Sequence, residues 1–291
     1  ECLAIVEPLI GVELGTWMLY SDPTDETIGM QLAQTQYAQP ALFCMSYALS
    51  AWLESVGVRP HAMIGHSIGE YAAACVAGVF SLKDAAEAVV ARGKAMAAQP
   101  RGSMLAVRES ADKVLSLLPE GVEVAGENAP KLTVVAGSDA AIDSLVARLE
   151  ALDIGLTRLK VSHAFHSASM DGALDVIQTQ IAKATLNAPS ICMYSCISGT
   201  ILDAQDAIDP HYWARQVRAP VKFSQAVQAE LAKGDNIFIE VGPGQALTAM
   251  VRQHRTVKDA VPRVMSLLGP ANNPGDVART AFAGLGGLWS M

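Results

Sequence analysis

The sequence predicts an α/β fold in two parts, a large subdomain of helices packed on strands and a small one inserted into it. Two stretches carry that prediction. In the first, Ala62-Met63-Ile64 reads as a short apolar strand and is followed by Gly65-His66-Ser67-Ile68-Gly69-Glu70, with a serine between two glycines where the strand becomes a helix. This is the nucleophile-elbow pattern of an α/β-hydrolase-like sheet. In the second, residues 103–161 alternate as short segments in the order β-α-β-β-α-β, the ferredoxin-like split unit. Residues 1–102 and 163–291 are therefore expected to form a large α/β-hydrolase-like subdomain, ending in the start of a linker. Residues 103–162 form the inserted ferredoxin-like subdomain, with a cleft between the two.

Taken along the chain, residues 40–58 carry apolar side chains at Leu42, Met45, Ala48, Leu49 and Leu53, the spacing of a buried helix that closes near Gly57. Residues 62–64 form the strand before the elbow. Residues 68–76 are small and apolar, suited to a helix packed closely on a sheet, with Gly78 as its stop. Ser81-Leu82-Lys83-Asp84 has the spacing of an N-terminal capping box for a helix running to about residue 99. Within the insert, strands are expected at 103–108, 122–126, 132–136 and 157–161, and helices at 111–118 and 140–152. Beyond it come helices at 170–184, 210–217 and 245–253 and strands at 191–195 and 236–241, the last followed by the Gly242-Pro243-Gly244 turn.

At 291 residues and 51% hydrophobic, the chain can bury a large core. Its 21 basic and 29 acidic residues leave a net charge of −8, which argues against nucleic acid or an anionic membrane surface as a partner. The five cysteines (Cys2, Cys44, Cys75, Cys192, Cys196) are scattered and odd in number, the usage of reduced core residues in a cytoplasmic protein. No stretch has the apolar length of a membrane span, and no targeting segment opens the chain. The first residues fall inside an apolar helical pattern, and Leu288-Trp289-Ser290-Met291 ends on apolar side chains that want a partner surface. The expectation is a segment of a longer polypeptide.

Ser67 is the candidate nucleophile. The elbow expects glycines on both sides of it for steric reasons, and the following helix directs its positive end, with the Ile68 N–H, toward a developing oxyanion. A serine hydroxyl is a weak nucleophile and requires a base, for which histidine is the usual choice. Of six histidines, His163 and His166 in Ser162-His163-Ala164-Phe165-His166-Ser167 stand where the insert returns to the large subdomain. That pair, with Asp171, is also the beginning of a metal pattern, but it lacks third and fourth ligands at sensible spacing. A structural role for both histidines remains the alternative at this level.

Five motifs then occur in a recognisable order: Gly65-His66-Ser67-Ile68-Gly69-Glu70, Arg92-Gly93 with Met96, Asn128 with Val134-Val135-Ala136-Gly137, His163-Ala164-Phe165-His166, and Glu240-Val241-Gly242-Pro243-Gly244. With them, nearly the whole chain resembles the malonyl-CoA:acyl-carrier-protein transacylase family, most closely the acyltransferase domain of a type I polyketide synthase, a multifunctional enzyme of secondary-metabolite biosynthesis. The resemblance implies ping-pong transfer of a malonyl extender unit through an acyl-serine ester. It makes Ser67 the nucleophile, His166 the general base and then acid, and the backbone carbonyl of Gln216 the group that orients the histidine. It makes Arg92 the holder of the extender's free carboxylate, which a guanidinium can grip in bidentate fashion. His66, His163, Phe165 and Asn128 are expected to contribute to substrate binding. His163-Ala164-Phe165-His166 resembles the malonyl-selective signature, Phe165 filling the space of an α-methyl group.

No bound cofactor is implied. The partners implied are malonyl-CoA, the phosphopantetheine thiol of an acyl carrier protein, and adjoining synthase domains. Arg215, Arg218 and Lys222, or Arg252, His254, Arg255 and Lys258, are candidate patches for an acidic carrier. One departure stands out: the Phe-Pro-Gly-Gln-Gly loop that supplies the family's second oxyanion donor is not in this sequence. Two other readings therefore stay open, a serine esterase or thioesterase that needs no Arg92 clamp, and a truncated non-catalytic docking segment.

Overall fold

The computed structural model describes residues 1–22, 24–234, 236–269 and 277–290. Four helices come first, α1 (Cys2–Ile10), α2 (Leu14–Leu19), α3 (Glu26–Leu32) and α4 (Thr35–Ser55). The long α4 begins five residues before the expected start and carries Pro40 inside it; Phe43, Cys44 and Leu53 face the core. Strand β1 (Ala62–Ile64), the elbow and α5 (Ile68–Val76) follow, and then α6 (Leu82–Ala97). Ser81 caps α6 as expected, its Oγ accepting the Asp84 N–H at 3.1 Å and donating to the Asp84 carboxylate at 2.7 Å.

The insert consists of β2 (Ser103–Val107), α7 (Ala111–Leu115), β3 (Val122–Ala129), β4 (Leu132–Gly137), α8 (Asp139–Ala151) and β5 (Leu156–Arg158). Its sheet runs β3-β4-β2-β5, with every pairing antiparallel. That is the ferredoxin-like order, and period-two alternation explains how both faces become covered. Leu105, Val107, Val122 and Val135 pack with Ile142, Leu145 and Leu149 of α8. Met104, Ala125, Val134 and Ala136 gather Ala164 and Phe165 on the opposite face, so the segment that carries His166 is laid against the small sheet.

The remaining elements are α9 (Leu174–Ile181), β6 (Cys192–Tyr194), α10 (Ala204–Ala207), α11 (Pro210–Arg215), α12 (Phe223–Leu231), β7 (Ile237–Glu240), α13 (Ala246–Val251), β8 (Arg263–Ser266) and α14 (Val277–Ser290). Strand β1 pairs in parallel with β6, and β7 with β8. The helix expected over 170–184 divides into a 3-10 turn, Ala168–Ala173, and α9. Gly172 lies in that turn, where an added Cβ would come within 2.5 Å of the Gln99 side chain. Side chains of α1, α4, α5, α6, α9 and α11 form the principal core, centred on Tyr71, Phe80 and Trp213. All five cysteines are free, and no described helix is long and apolar enough to cross a membrane. The expectation for Leu288 to Met291 lies outside the described side chains.

Gly137 closes β4 where a Cβ would stand 2.6 Å from the Gly121 carbonyl oxygen and 3.1 Å from Val122 Cγ2. Backbone cannot yield as a flexible side chain can. Gly137→Ala is expected to lower stability by about 1–3 kcal/mol, measured as a reduced urea midpoint with an unchanged denaturant slope.

Candidate active site

The elbow forms because Gly65 has no Cβ: one placed there would lie 2.2 Å from Glu70 Cα and 2.3 Å from Glu70 N. The second glycine is different. Nothing lies within 4 Å of a Cβ at Gly69, so the expected steric need for glycines on both sides holds only at Gly65. Ser67 itself carries the turn at φ 50 and ψ −113, a strained backbone for a residue with a side chain, of the kind that clusters at functional sites. The strain lifts its Oγ above the start of α5. There the Gly69 and Glu70 N–H groups bond to the His66 and Ser67 carbonyls, and the Ile68 N–H makes no hydrogen bond among the described residues.

His166, also at positive φ (57), brings its Nε2 to 2.8 Å from Ser67 Oγ. Its Nδ1 lies 2.9 Å from the Ala219 carbonyl oxygen. A carbonyl only accepts, so Nδ1 carries the proton and Nε2 presents its lone pair to the serine hydroxyl. The carbonyl that accepts from Nδ1 at hydrogen-bond distance is that of Ala219, and the expected Gln216 carbonyl also favours the protonated imidazole. The reason is local: α11 ends at Arg215, Gln216 begins the turn out of it, and the chain then runs past the histidine three residues later. Gln216 also acts through its side chain, Nε2 donating to the Ser67 carbonyl at 2.7 Å and to Glu70 Oε2 at 3.0 Å.

Arg92 is 1% exposed, on α6, with its guanidinium in the same site. Nη2 donates to Ser67 Oγ at 3.0 Å and to Gln216 Oε1 at 3.1 Å, Nη1 donates to Gln39 Oε1 at 2.5 Å, and the Tyr71 ring lies 5.4 Å from the guanidinium carbon. Its Nε is buried without a partner. None of the ion pairs among the described residues includes it. Burial, with the Arg92 charge next in size, pushes the His166 imidazole down to about 3, so it is a free base at neutral pH.

The other expected residues divide. His66 donates from Nε2 to Asn128 Oδ1 at 2.9 Å, so the elbow and β3 of the insert engage each other here, and burial holds His66 neutral beside the nucleophile. His163 turns away from His166, its Nδ1 2.8 Å from Ser162 Oγ and 3.4 Å from Thr35 Oγ1, so the two histidines do not form a joint metal site. Phe165 stacks on His163 with ring centroids 5.8 Å apart. Two of the supposed carrier-binding cations are already engaged: Arg218 bonds Glu123 and Asp171, each at 2.8 Å, and Lys222 pairs with Glu127. His254 is buried against Ser224, whereas Arg215, Arg252, Arg255 and Lys258 are exposed.

Four residues of the site carry no functional expectation from the sequence: Gln39, Glu70, Tyr212, whose hydroxyl donates to Glu70 Oε1 at 2.5 Å, and Ala219. Glu70 sat inside the quoted elbow motif, and Gln39 is a polar residue on the buried stripe of α4; both were legible signals. Ala219 works through its backbone, which leaves no mark in residue identity.

Comparison with known proteins places this geometry. A family model described as the acyl transferase domain matches residues 15–281. The phenolphthiocerol synthesis polyketide synthase type I Pks15/1 of Mycobacterium marinum is 39% identical over 256 residues, 87% of this chain and 12% of that protein. The chain thus spans only about an eighth of that relative. Among solved structures, the acyltransferase domain from the second module of the salinomycin polyketide synthase superposes with a TM-score of 0.87 at 35% identity, covering 99% of this chain and 66% of that one. The malonyl CoA-acyl carrier protein transacylase from Clostridium perfringens shares the fold, with a TM-score of 0.84 at 24% identity over 100% of this chain and 89% of its own.

The depressed His166 basicity has a definite sign. An unfolded chain binds a proton at this residue near pH 6.5 and the folded one only near 3, so stability is complete above 6.5 and falls as pH drops toward 3. The loss is up to about 1.4 kcal/mol per pH unit. Urea unfolding at pH 7.5 and 5 is expected to show a smaller loss in His166→Asn than in the native chain.

Proposed function

The chain belongs to the acyl transferase domain family, and on that premise we propose that it moves a malonyl extender unit from malonyl-CoA, through an ester on Ser67, to the phosphopantetheine thiol of an acyl carrier protein within a polyketide synthase. One observation carries the reading: Ser67 Oγ sits between a neutral histidine base and a buried guanidinium with no carboxylate partner. A base beside a serine serves any acyl transfer. A buried, unneutralised arginine beside the same oxygen suits an acyl group that brings its own carboxylate.

In the first half-reaction, Ser67 Oγ attacks the thioester carbon as its proton passes to His166 Nε2, and the Ala219 carbonyl steadies the imidazolium through Nδ1–H. The free Ile68 N–H at the start of α5 donates to the oxyanion. Collapse breaks the carbon–sulfur bond, and the departing CoA thiolate takes the proton from His166. In the second, the carrier thiol gives its proton to His166 and attacks the ester carbon; Ser67 Oγ leaves and recovers the proton. No cofactor enters either half. Phe165, stacked on His163, sets the space beside the acyl α-carbon in this reading.

The test is intact-protein mass spectrometry after brief incubation with malonyl-CoA, methylmalonyl-CoA or acetyl-CoA. A malonyl adduct dominates in the native chain and is absent from Ser67→Ala. Arg92→Ala is expected to lower the malonylation rate by about 30-fold or more and to shift preference toward acetyl; an unchanged preference would identify an esterase. Separately, Phe165→Ser is expected to raise methylmalonyl over malonyl labelling by about 10-fold, the effect of readmitting one methyl group.

A further inference from the structure

Glu70 is the one fully buried carboxylate of the site, and the two half-reactions above make no use of it. Its Oε1 accepts the Cys196 N–H at 3.1 Å and the Tyr212 hydroxyl at 2.5 Å, and its Oε2 accepts Gln216 Nε2 at 3.0 Å. The Gln216 amide is itself fully buried, and both of its N–H bonds are committed, one to Glu70 and one to the Ser67 carbonyl. Those two acceptors decide which way the amide faces. Turned over, it would set its oxygen against two acceptors and its N–H groups against the donors of Arg92. In the orientation present, Gln216 Oε1 accepts from Arg92 Nη2, and Gln39 Oε1 accepts from Nη1.

The guanidinium is thus held by two neutral amide oxygens, with the buried Glu70 carboxyl one amide away. A carboxylate in direct contact would fix Arg92 equally well but would occupy it. Held at one remove, the Glu70 carboxyl orders the Gln216 amide and leaves Arg92 able to receive another carboxylate.

We propose that Glu70 is a positioning residue that confers selectivity for carboxylated acyl groups, acting through the Gln216 side chain to aim Arg92 without neutralising it. This rests on the malonyl-transfer reading.

The experiment is the rate and KM of Ser67 acylation by malonyl-CoA and by acetyl-CoA, followed by intact mass, in the native chain, in Glu70→Gln and in the exchanged pair Glu70→Gln/Gln216→Glu, with circular dichroism reporting the fold. Glu70→Gln is expected to lower the malonyl-to-acetyl selectivity at least tenfold, mainly through KM for malonyl-CoA. The exchanged pair keeps the side-chain types and total charge but puts the carboxylate directly on Arg92; its malonyl selectivity is expected to fall further, by 100-fold or more. Equal losses for the two acyl groups in a folded variant, or selectivity retained in the exchanged pair, would reduce Glu70 to a structural residue and overturn the proposal while leaving the transfer reading intact. A native chain without preference for malonyl would overturn both.

Discussion

Everything at this site depends on one line of four atoms: the Ala219 carbonyl oxygen, the two nitrogens of His166 between, and Ser67 Oγ. Because the carbonyl fixes the tautomer, the line has a direction, and the serine can only give its proton inward. The three residues come from an elbow, a loop leaving the small sheet and a turn after α11, elements that meet only through tertiary packing. Two of the three, Ser67 and His166, hold positive φ. Such backbone costs on the order of 1–3 kcal/mol each and persists only where the surroundings over-determine it.

Around that line the molecule buries charge that an ordinary core would refuse. An isolated ion is expensive in a low-dielectric interior, and the usual solution is direct pairing. Here Arg92 and the Glu70 carboxyl, whose acidity burial weakens, are separated by an amide and held by neutral partners, and the Arg92 Nε has none. Electrostatic stability is thereby held below its maximum in return for a cation that remains open to a ligand. The same cation, together with burial, suppresses the imidazolium, so the arginine that suits an acidic substrate also keeps the base free of protons in the empty site.

The short-range features were legible in sequence for a physical reason. The elbow, the Ser81 cap and the alternation of the insert are each settled by neighbours within a few residues, and α5 occupies the expected 68–76. What failed was decided at long range. The start of α4 depends on packing rather than on a capping side chain, since Gln34 makes no cap bond. Whether Arg218 and Lys222 are free cations depends on acids nearly a hundred residues earlier, Glu123 and Glu127. A carbonyl can be offered by any residue, so Ala219 left no mark in the sequence beside the expected Gln216. Ser67, His166 and Arg92 do meet in one place, as the order of motifs implied.

The small sheet ends on one side at β3, whose outer backbone groups no other strand of that sheet pairs. Irregularities in its register on both sides of Gly126 coincide with a parallel bridge to Val221, whose N–H goes to the Ala125 carbonyl at 2.9 Å and whose carbonyl receives the Glu127 N–H at 2.8 Å. Exposed edges invite other chains to add a strand. The segment just beyond Ala219 fills that place from within the same molecule, and Lys222 and Arg218 fasten it by charge. Excised alone, residues 103–158 would lack that segment and present β3 as an open edge, so the boundary where the fold looks most divisible is one its backbone bonds cross.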